Sequence, residues 1–460
     1  MVSEKLLAAC QSSFGETSAC ILVTGASGFV GSEVAKTLSS LGHQVTMTGR
    51  NRYSAPRESD CLAFRRANLL DKRNIVDLCA GQDYVIHTAA NTSPSATTEE
   101  LYPANVEGTE NIIAGCLEHG VKRLVHISST AIYFDFQDRF DISDDHPLPK
   151  QFACGYAESK ALAEQRVLEA VEQGLLNAFI VRARAVFGAR DACLLPRFLR
   201  AYDAGRLRRI GDGENVSELT YIDNLVYGII LAMQRGESGE ACTISGGEPV
   251  QLWELLERVL AETGRNKPLR SLSASKAMFF ASILERLHRI RNKAGEPALT
   301  RYSVGLLSKS QTFAQSGASK KLGYLPIVKL SEGIDTTLKS MSACDEGHAN
   351  ASVKLHLQTT GYTSAKANLV EQYGERAVIK LHSAIAVLEH PEFGITLFDT
   401  GYSPSFYEAT RKWPFQLLSK ITPVVTYPSL SAASAVRNLG FEPEEVSRII
   451  ISHFHSDHVC

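Results

Sequence analysis

Residues 23–31 read VTGASGFVG, and how this stretch is read decides the fold. The apolar run before it suits a strand, and the pattern after it suits a helix. Gly25, Gly28 and Gly31 then permit a tight turn, close approach of the backbone to a pyrophosphate, and close helix–strand packing. Together with Ser27, Phe29 and Val30 they offer phosphates the free N–H groups and positive dipole end of a helix N-terminus. A glycine triplet alone is weak evidence. Placed after an apolar strand at the head of a strand–helix series, it becomes specific.

That series is visible on either side of the loop. ILVTG, HQVTMTG, DYVIHTAA and RLVHIS are each followed by a polar or helix-like segment, and AFIVRARAVFG continues the order. Strands alternating with helices predict an α/β fold, a Rossmann-type doubly wound parallel sheet over about residues 20–190. Mixed short elements beyond 190 predict a small substrate lobe reaching 342, with 1–19 as an N-terminal extension. The second strand ends in Thr48-Gly49-Arg50-Asn51-Arg52. An acidic residue there would bind the ribose 2′-hydroxyl of NAD, whereas arginine suits a 2′-phosphate, so Arg50 favours NADP over NAD. Arg50 and Arg52 also read as solvated turn residues.

With 460 residues, 44% of them hydrophobic and 21% charged, the chain has the composition of a globular protein of two or three domains. A formal net charge of −2 gives no electrostatic reason to expect a nucleic-acid partner. Ten cysteines, with no C-x-x-C pair, suit reduced thiols and a cytoplasmic location. The N-terminal stretch does not read as a signal peptide, and no run approaches the roughly 18 apolar residues of a membrane span. Residues 277–290, AMFFASILERLHRI, form an apolar helix that turns basic. It is expected to cover an apolar substrate pocket, with weak contact to a membrane surface as the other reading.

The second chemical signal is Tyr156-Ala-Glu-Ser-Lys160, at the start of a strongly helical stretch. The i, i+4 spacing sets phenol and ammonium on one helix face, where the Lys charge would lower the Tyr pKa and make Tyr156 a general acid/base. Taken alone, such a pair is more often a chance helical spacing. Here it follows RLVHISSTAIY, whose Ser128, Ser129 and Thr130 offer hydroxyls to the same oxygen.

At this point residues 20–340 resemble the extended short-chain dehydrogenase/reductase family, on TGASGFVG, DYVIHTAA, NVEGTENII, HISSTAIY, YAESKALAE, GDGENVSELTYIDNLVYG and TFAQSGASKKLGYLP. The resemblance implies a Rossmann domain with a C-terminal substrate lobe, Ser129 as catalytic serine, and Tyr156 with Lys160 as the acid/base pair. It also implies cofactor contacts at Asn68 and Leu69, at Thr88, Ala89 and Ala90, and at Asn105. The tail PALTRYSVGLLSKSQTFAQSGASKKLGY is most similar to the 3β-hydroxysteroid dehydrogenase-type branch, which includes reductases of 2-alkyl-3-oxoalkanoates. That branch implies hydride transfer between NAD(P) and a large apolar ketone or alcohol. Phe134 stands where a glycine is usual, Ala183 where a proline is, and Asn68 where an aspartate is. A nucleotide-sugar epimerase or dehydratase shares the fold, although Thr130-Ala131 supplies no acid beside the serine. A non-catalytic dinucleotide sensor would usually have lost the tyrosine or the lysine. A small apolar substrate is the expected partner, and a homodimer is an open option.

Residues 343–352 read as a linker, and a new alternation follows: VKLHLQTTGY, AVIKLHSAIAVLEH, GITLFDTG and the run Arg448–Ser452, expected as a buried strand. The chain closes on His453-x-His455-x-Asp457-His458, a donor set that suits Zn²⁺ or a similar ion. Residues 353–460 thus resemble the N-terminal part of a metallo-β-lactamase fold. The resemblance implies His453 and His455 on one metal and Asp457 and His458 on a second, with further ligands from a second half. A truncated αββα domain with an incomplete site is expected, with Zn competent only in a longer form, as in a bifunctional reductase–hydrolase.

Overall fold

The structure is a computed structural model and describes residues 2–12, 18–52, 55–191, 194–290, 297, 299–347, 353–366, 378–390, 393–409, 411 and 424–452. The chain divides into two compact units. One comprises Met1–Gly49 and Ala55–Asp345, the other Arg50–Ser54 and Glu346–Cys460.

In the first unit, strands β1 (Cys20–Thr24), β2 (Gln44–Gly49), β3 (Leu62–Arg66), β4 (Tyr84–His87), β5 (Arg123–Ser129), β6 (Ala178–Ala183) and β7 (Ala241–Ile244) form one sheet. All pair in parallel, in the order β7-β6-β5-β4-β1-β2-β3. The inner strands are near-continuous apolar runs because both faces are covered: Ile21, Leu22, Val23, Val85, Ile86, Leu124 and Val125 are wholly buried. On one face pack Val34, Ala35 and Leu38 of α2 (Phe29–Ser40). On the other pack Ile112 and Cys116 of α3 (Gly108–Glu118) and Val167 of α4 (Gly155–Glu172). The strand order reverses between β1 and β4, so their carboxyl ends open the crevice in which such sheets bind ligands.

The N-terminal stretch, expected as an extension, contributes a helix to this unit. In α1 (Glu4–Gln11), Leu6 and Cys10 are buried in the first core cluster, and Lys5 pairs with Glu332 at 2.8 Å. Its apolar pattern is too short for periodicity to declare it. The substrate lobe holds a four-stranded sheet of Arg139–Ile142, Val216–Ser217, Val250–Gln251 and Gln311–Phe313. Helix α5 (Ile222–Arg235) packs on the seven-stranded sheet beside α2, and the unit also holds α6 (Ala274–Ile290), α7 (Arg301–Ser308) and α8 (Leu330–Gly347). The segment expected as a linker is helical as far as Gly347, because α8 runs on through Ala343, Asp345 and Glu346. Among the described residues no helix is long and apolar enough to cross a membrane.

The second unit is a five-stranded sheet of β8 (Lys354–Lys366), β9 (Val378–His390), β10 (Gly394–Phe398), β11 (Val424–Val425) and β12 (Val446–Ile450), ordered β11-β8-β9-β10-β12. Helix α9 (Ala432–Asn438) buries Ala435 and Val436 against Ile385, Val387, Ile395 and Leu397. The opposite pleat carries Leu355, Leu357, Phe398 and Ile450, all exposed. The buried-strand expectation for Arg448–Ser452 fails: β12 is an edge strand, with Ile449 55% and Ile450 47% exposed. An edge strand has one neighbour, and among the described residues no element covers these two side chains. His453, His455, Asp457 and His458 lie outside the described residues. Asp399, buried and at φ +60°, accepts hydrogen bonds from the N–H (2.7 Å) and the hydroxyl (2.8 Å) of Ser452, the last described residue before that motif.

Candidate active site

The dinucleotide crevice is built from backbone. Gly25, at φ +67°, lies so close to the β4 end that an added Cβ would stand 2.7 Å from Ala89 Cα. A Cβ on Gly31 would stand 2.5 Å from the Gly25 carbonyl oxygen and 2.6 Å from Thr88 Oγ1. Gly28 caps α2 without a side chain, leaving the first-turn N–H groups clear for phosphate. Thr88 donates to the Thr24 carbonyl at 2.7 Å, pinning β4 to the loop. The fit for a pyrophosphate is therefore steric and electrostatic at once. Arg50 stands exposed directly after β2, and Asn68 is exposed after β3 with its side chain turned back to the Leu70 N–H (3.2 Å). The Leu69 carbonyl accepts from Asn111 at 2.8 Å, and its side chain fills the space left by Gly108.

Of the three hydroxyls offered by β5, the structure brings Ser129 to Tyr156. Ser129 is set toward the phenol and lowers its proton affinity, Ser128 lies buried on the other side of the strand, and Thr130 turns to the Ala183 carbonyl (3.4 Å). Alternation along a strand allows only one of two neighbours to face the crevice. Lys160, one helical turn after Tyr156, is buried and donates to the Ile127 carbonyl at 2.6 Å. Burial lowers its pKa to about 8, against a smaller opposing pull from Glu164. The expectation that the lysine lowers the tyrosine is not met. Burial pushes the Tyr156 phenol above its ordinary value, and the opposing influence is the Ser129 hydroxyl.

Asn105 sits in a π-helical turn, Pro103–Glu107, which turns its side chain inward. Its Nδ2 donates to the Asn91 carbonyl and to Ser159 Oγ, both at 2.9 Å, and Ser159 donates to the Tyr156 carbonyl at 3.0 Å. The same network reaches the nucleotide loop. Thr109 donates to the Asn105 carbonyl at 2.7 Å and meets His87 Nε2 at 3.1 Å, while His87 Nδ1 meets Thr24 Oγ1 at 2.8 Å. Burial, with the Lys160 charge adding, lowers His87 to about 3 and keeps it neutral. His87, Thr109 and Ser159 were missed from sequence. Each lies inside a quoted motif, but only the fold shows their partners.

Below this network Arg182 forms a buried pair with Glu164 (2.7 Å) and donates to Tyr133 and to the Asp144 carbonyl. A cavity of about 610 Å³ adjoins the tyrosine, its wall including Cys154, Gly155, Glu285, His288, Arg301 and Tyr302. Tyr302, half-buried, lies within electrostatic reach of Tyr156, and its ring meets Phe134 edge-on at 5.8 Å. Phe134 fits because Gly305 leaves room for it: a Cβ there would stand 2.7 Å from the ring. Helix α6 does not cover an apolar pocket as expected. It gives the cavity Glu285 and His288 and turns its large apolar residues outward.

Residues 21–245 match the NAD dependent epimerase/dehydratase family, and residues 381–460 match the metallo-beta-lactamase superfamily. The 2-alkyl-3-oxoalkanoate reductase of Stenotrophomonas maltophilia is 34% identical over 330 residues, covering 70% of this chain and 99% of that protein. The 4-hydroxy-2-methyl-3-oxo-4-farnesyl-3,4-dihydroquinoline-1-oxide ketoreductase of Stigmatella aurantiaca is 32% identical, covering 68% and 94%. Among solved structures, the dTDP-glucose 4,6-dehydratase DesIV of Streptomyces venezuelae superposes with a TM-score of 0.58 at 23% identity, covering 71% of this chain and 98% of that one, which shows the shared fold. The chain is an enzyme of the NAD-dependent epimerase/dehydratase family, with a metallo-beta-lactamase-like region at its C-terminal end.

Proposed function

We propose that residues 20–342 interconvert a ketone and a secondary alcohol with NAD(P)(H), on a substrate of the 2-alkyl-3-oxoalkanoate or sterol type. The observation that carries this reading is the Ser129 hydroxyl set toward the Tyr156 phenol beside buried Lys160, with Cys154 and Gly155, the two residues before the tyrosine, in the cavity wall. A bound NAD(P)H supplies the hydride. Tyr156 donates its proton to the forming alkoxide, and Ser129 aligns the carbonyl oxygen. Lys160, held by the Ile127 carbonyl, would hold the nicotinamide ribose of a bound cofactor. The reductase relatives support simple hydride transfer, and Thr130-Ala131 offers no acid beside Ser129 for a dehydratase step. Exposed Arg50 after β2 supports NADP over NAD.

The test is reduction of a 2-alkyl-3-oxo acid, followed by loss of NADPH absorbance. Tyr156→Phe is expected to lower turnover by about 10²–10⁴-fold while nucleotide affinity stays unchanged. Retained turnover would remove the tyrosine from its role. The metal reading of the second unit rests on His453, His455, Asp457 and His458, which lie outside the described residues.

A further inference from the structure

Helix α6 has its small residues inside and its large ones outside. Ala277 and Ala281 are wholly buried, while Phe279 is 63% and Phe280 51% exposed, with Ile283, Leu284 and Leu287 exposed beside them. At 3.6 residues per turn these five side chains share one contiguous arc of about 140°. A helix that only closed the substrate lobe would carry the reverse pattern. Exposed apolar arcs of this kind mark an interaction surface.

The charge around the arc says what covers it. Among the described side chains of α6 the cations are Lys276 and Arg286 and the single carboxylate is Glu285, in a protein of net charge −2. Glu285 is turned to the cavity wall and held by Arg301, whose N–H and Nε it accepts at 2.7 and 2.9 Å. Lys276 and Arg286 are exposed, the first at the head of the arc and the second at its edge. A second copy of the chain docking on a two-fold axis would set this basic patch against itself. An anionic lipid surface is complementary to both parts: phenylalanines and leucines enter the headgroup boundary, and the cations meet the phosphates.

We propose that α6 docks the enzyme on anionic membrane surfaces through Phe279, Phe280, Ile283, Leu284 and Leu287. The inner side of the same helix gives Glu285 and His288 to the cavity wall, so the docked face and the cavity adjoin one element. The surface stands on its own whether or not the substrate assignment holds.

The test is sedimentation of the full chain with vesicles of phosphatidylcholine, alone or mixed with phosphatidylglycerol. Binding to the anionic vesicles is expected, lost by about tenfold or more in the Phe279→Ser, Phe280→Ser double variant. The Lys276→Glu, Arg286→Glu variant is expected to lose the preference for anionic over neutral lipid. Unchanged NADPH binding in each variant shows that the fold is intact. Absence of wild-type binding, or equal binding by the serine variant, would overturn the proposal. So would a self-associated species that the serine variant dissolves, since a second copy would then own the surface.

Discussion

Replacement of Gly31 by alanine is a direct probe of the crevice. The new methyl would lie 2.5 Å from the Gly25 carbonyl oxygen and 2.8 Å from its carbonyl carbon, where ordinary contact begins at 3.4 Å. Both obstacles are backbone, so relief requires the β1–α2 loop to open by about 0.9 Å, the shortfall in the nearer contact. That movement withdraws α2 N–H groups from phosphate, and a hydrogen bond to a charged group contributes roughly 1.5–3 kcal/mol. Losing one such bond weakens binding by about 10–150-fold, at about 1.4 kcal/mol per factor of ten. Crowding the helix–strand contact costs a further 1–3 kcal/mol or so of stability. Gly28→Ala probes the same cradle from the helix cap: its methyl meets the Gly25 carbonyl oxygen at 3.1 Å, so the fold needs a few tenths of an ångström of adjustment and any loss of affinity reports crowding of the phosphate itself. Fluorescence titration with NADPH and NADH reads both variants. Unchanged affinity in both Gly31→Ala and Gly28→Ala would refute the assignment of the phosphate cradle to this loop.

Other predictions follow from the groups packed around the tyrosine. Lys160 has a folded pKa of about 8 against 10.5 for the free side chain. The unfolded chain therefore binds more protons between these values, and this group's contribution to stability rises with pH from 8 to 10.5; urea unfolding across that range measures it, and a flat or falling dependence abolished by no Lys160 variant contradicts the burial. In the free enzyme, kcat/KM for ketone reduction is expected to fall above pH 8 as the ammonium is lost, which a pH–rate profile checks. Arg182→Leu strips the buried Glu164 of its partner and should destabilise the first unit by about 3–5 kcal/mol in denaturant titration; an unchanged midpoint would show the pair to be solvated. Ser129→Ala removes the hydroxyl set toward Tyr156 and is expected to lower kcat far more than it raises the nucleotide Kd, which steady-state kinetics with a parallel binding titration separates.

The sequence by itself determined the parallel sheet, because each inner strand is an apolar run ended by a turn and buried on both faces. It also determined the crevice, since glycines at 25, 28 and 31 have a backbone purpose that no side chain can fill. It named Tyr156 and Lys160, whose i, i+4 spacing is a property of the helix alone. Tertiary structure decided what depends on a partner far away in the chain. Ser129 rather than Ser128 meets the phenol because the strand pleat fixes which hydroxyl faces the crevice. The tyrosine's proton affinity follows burial rather than the neighbouring lysine, because Lys160 is drawn to the Ile127 carbonyl. Phe134 is tolerated only because Gly305, far along the chain, leaves space for its ring. Helix α6 shows the limit most clearly: its sequence states that it is apolar, and only its seating on two alanines shows that the large side chains point outward. Periodicity reports that a face is hydrophobic; which face is covered depends on what the rest of the chain brings against it.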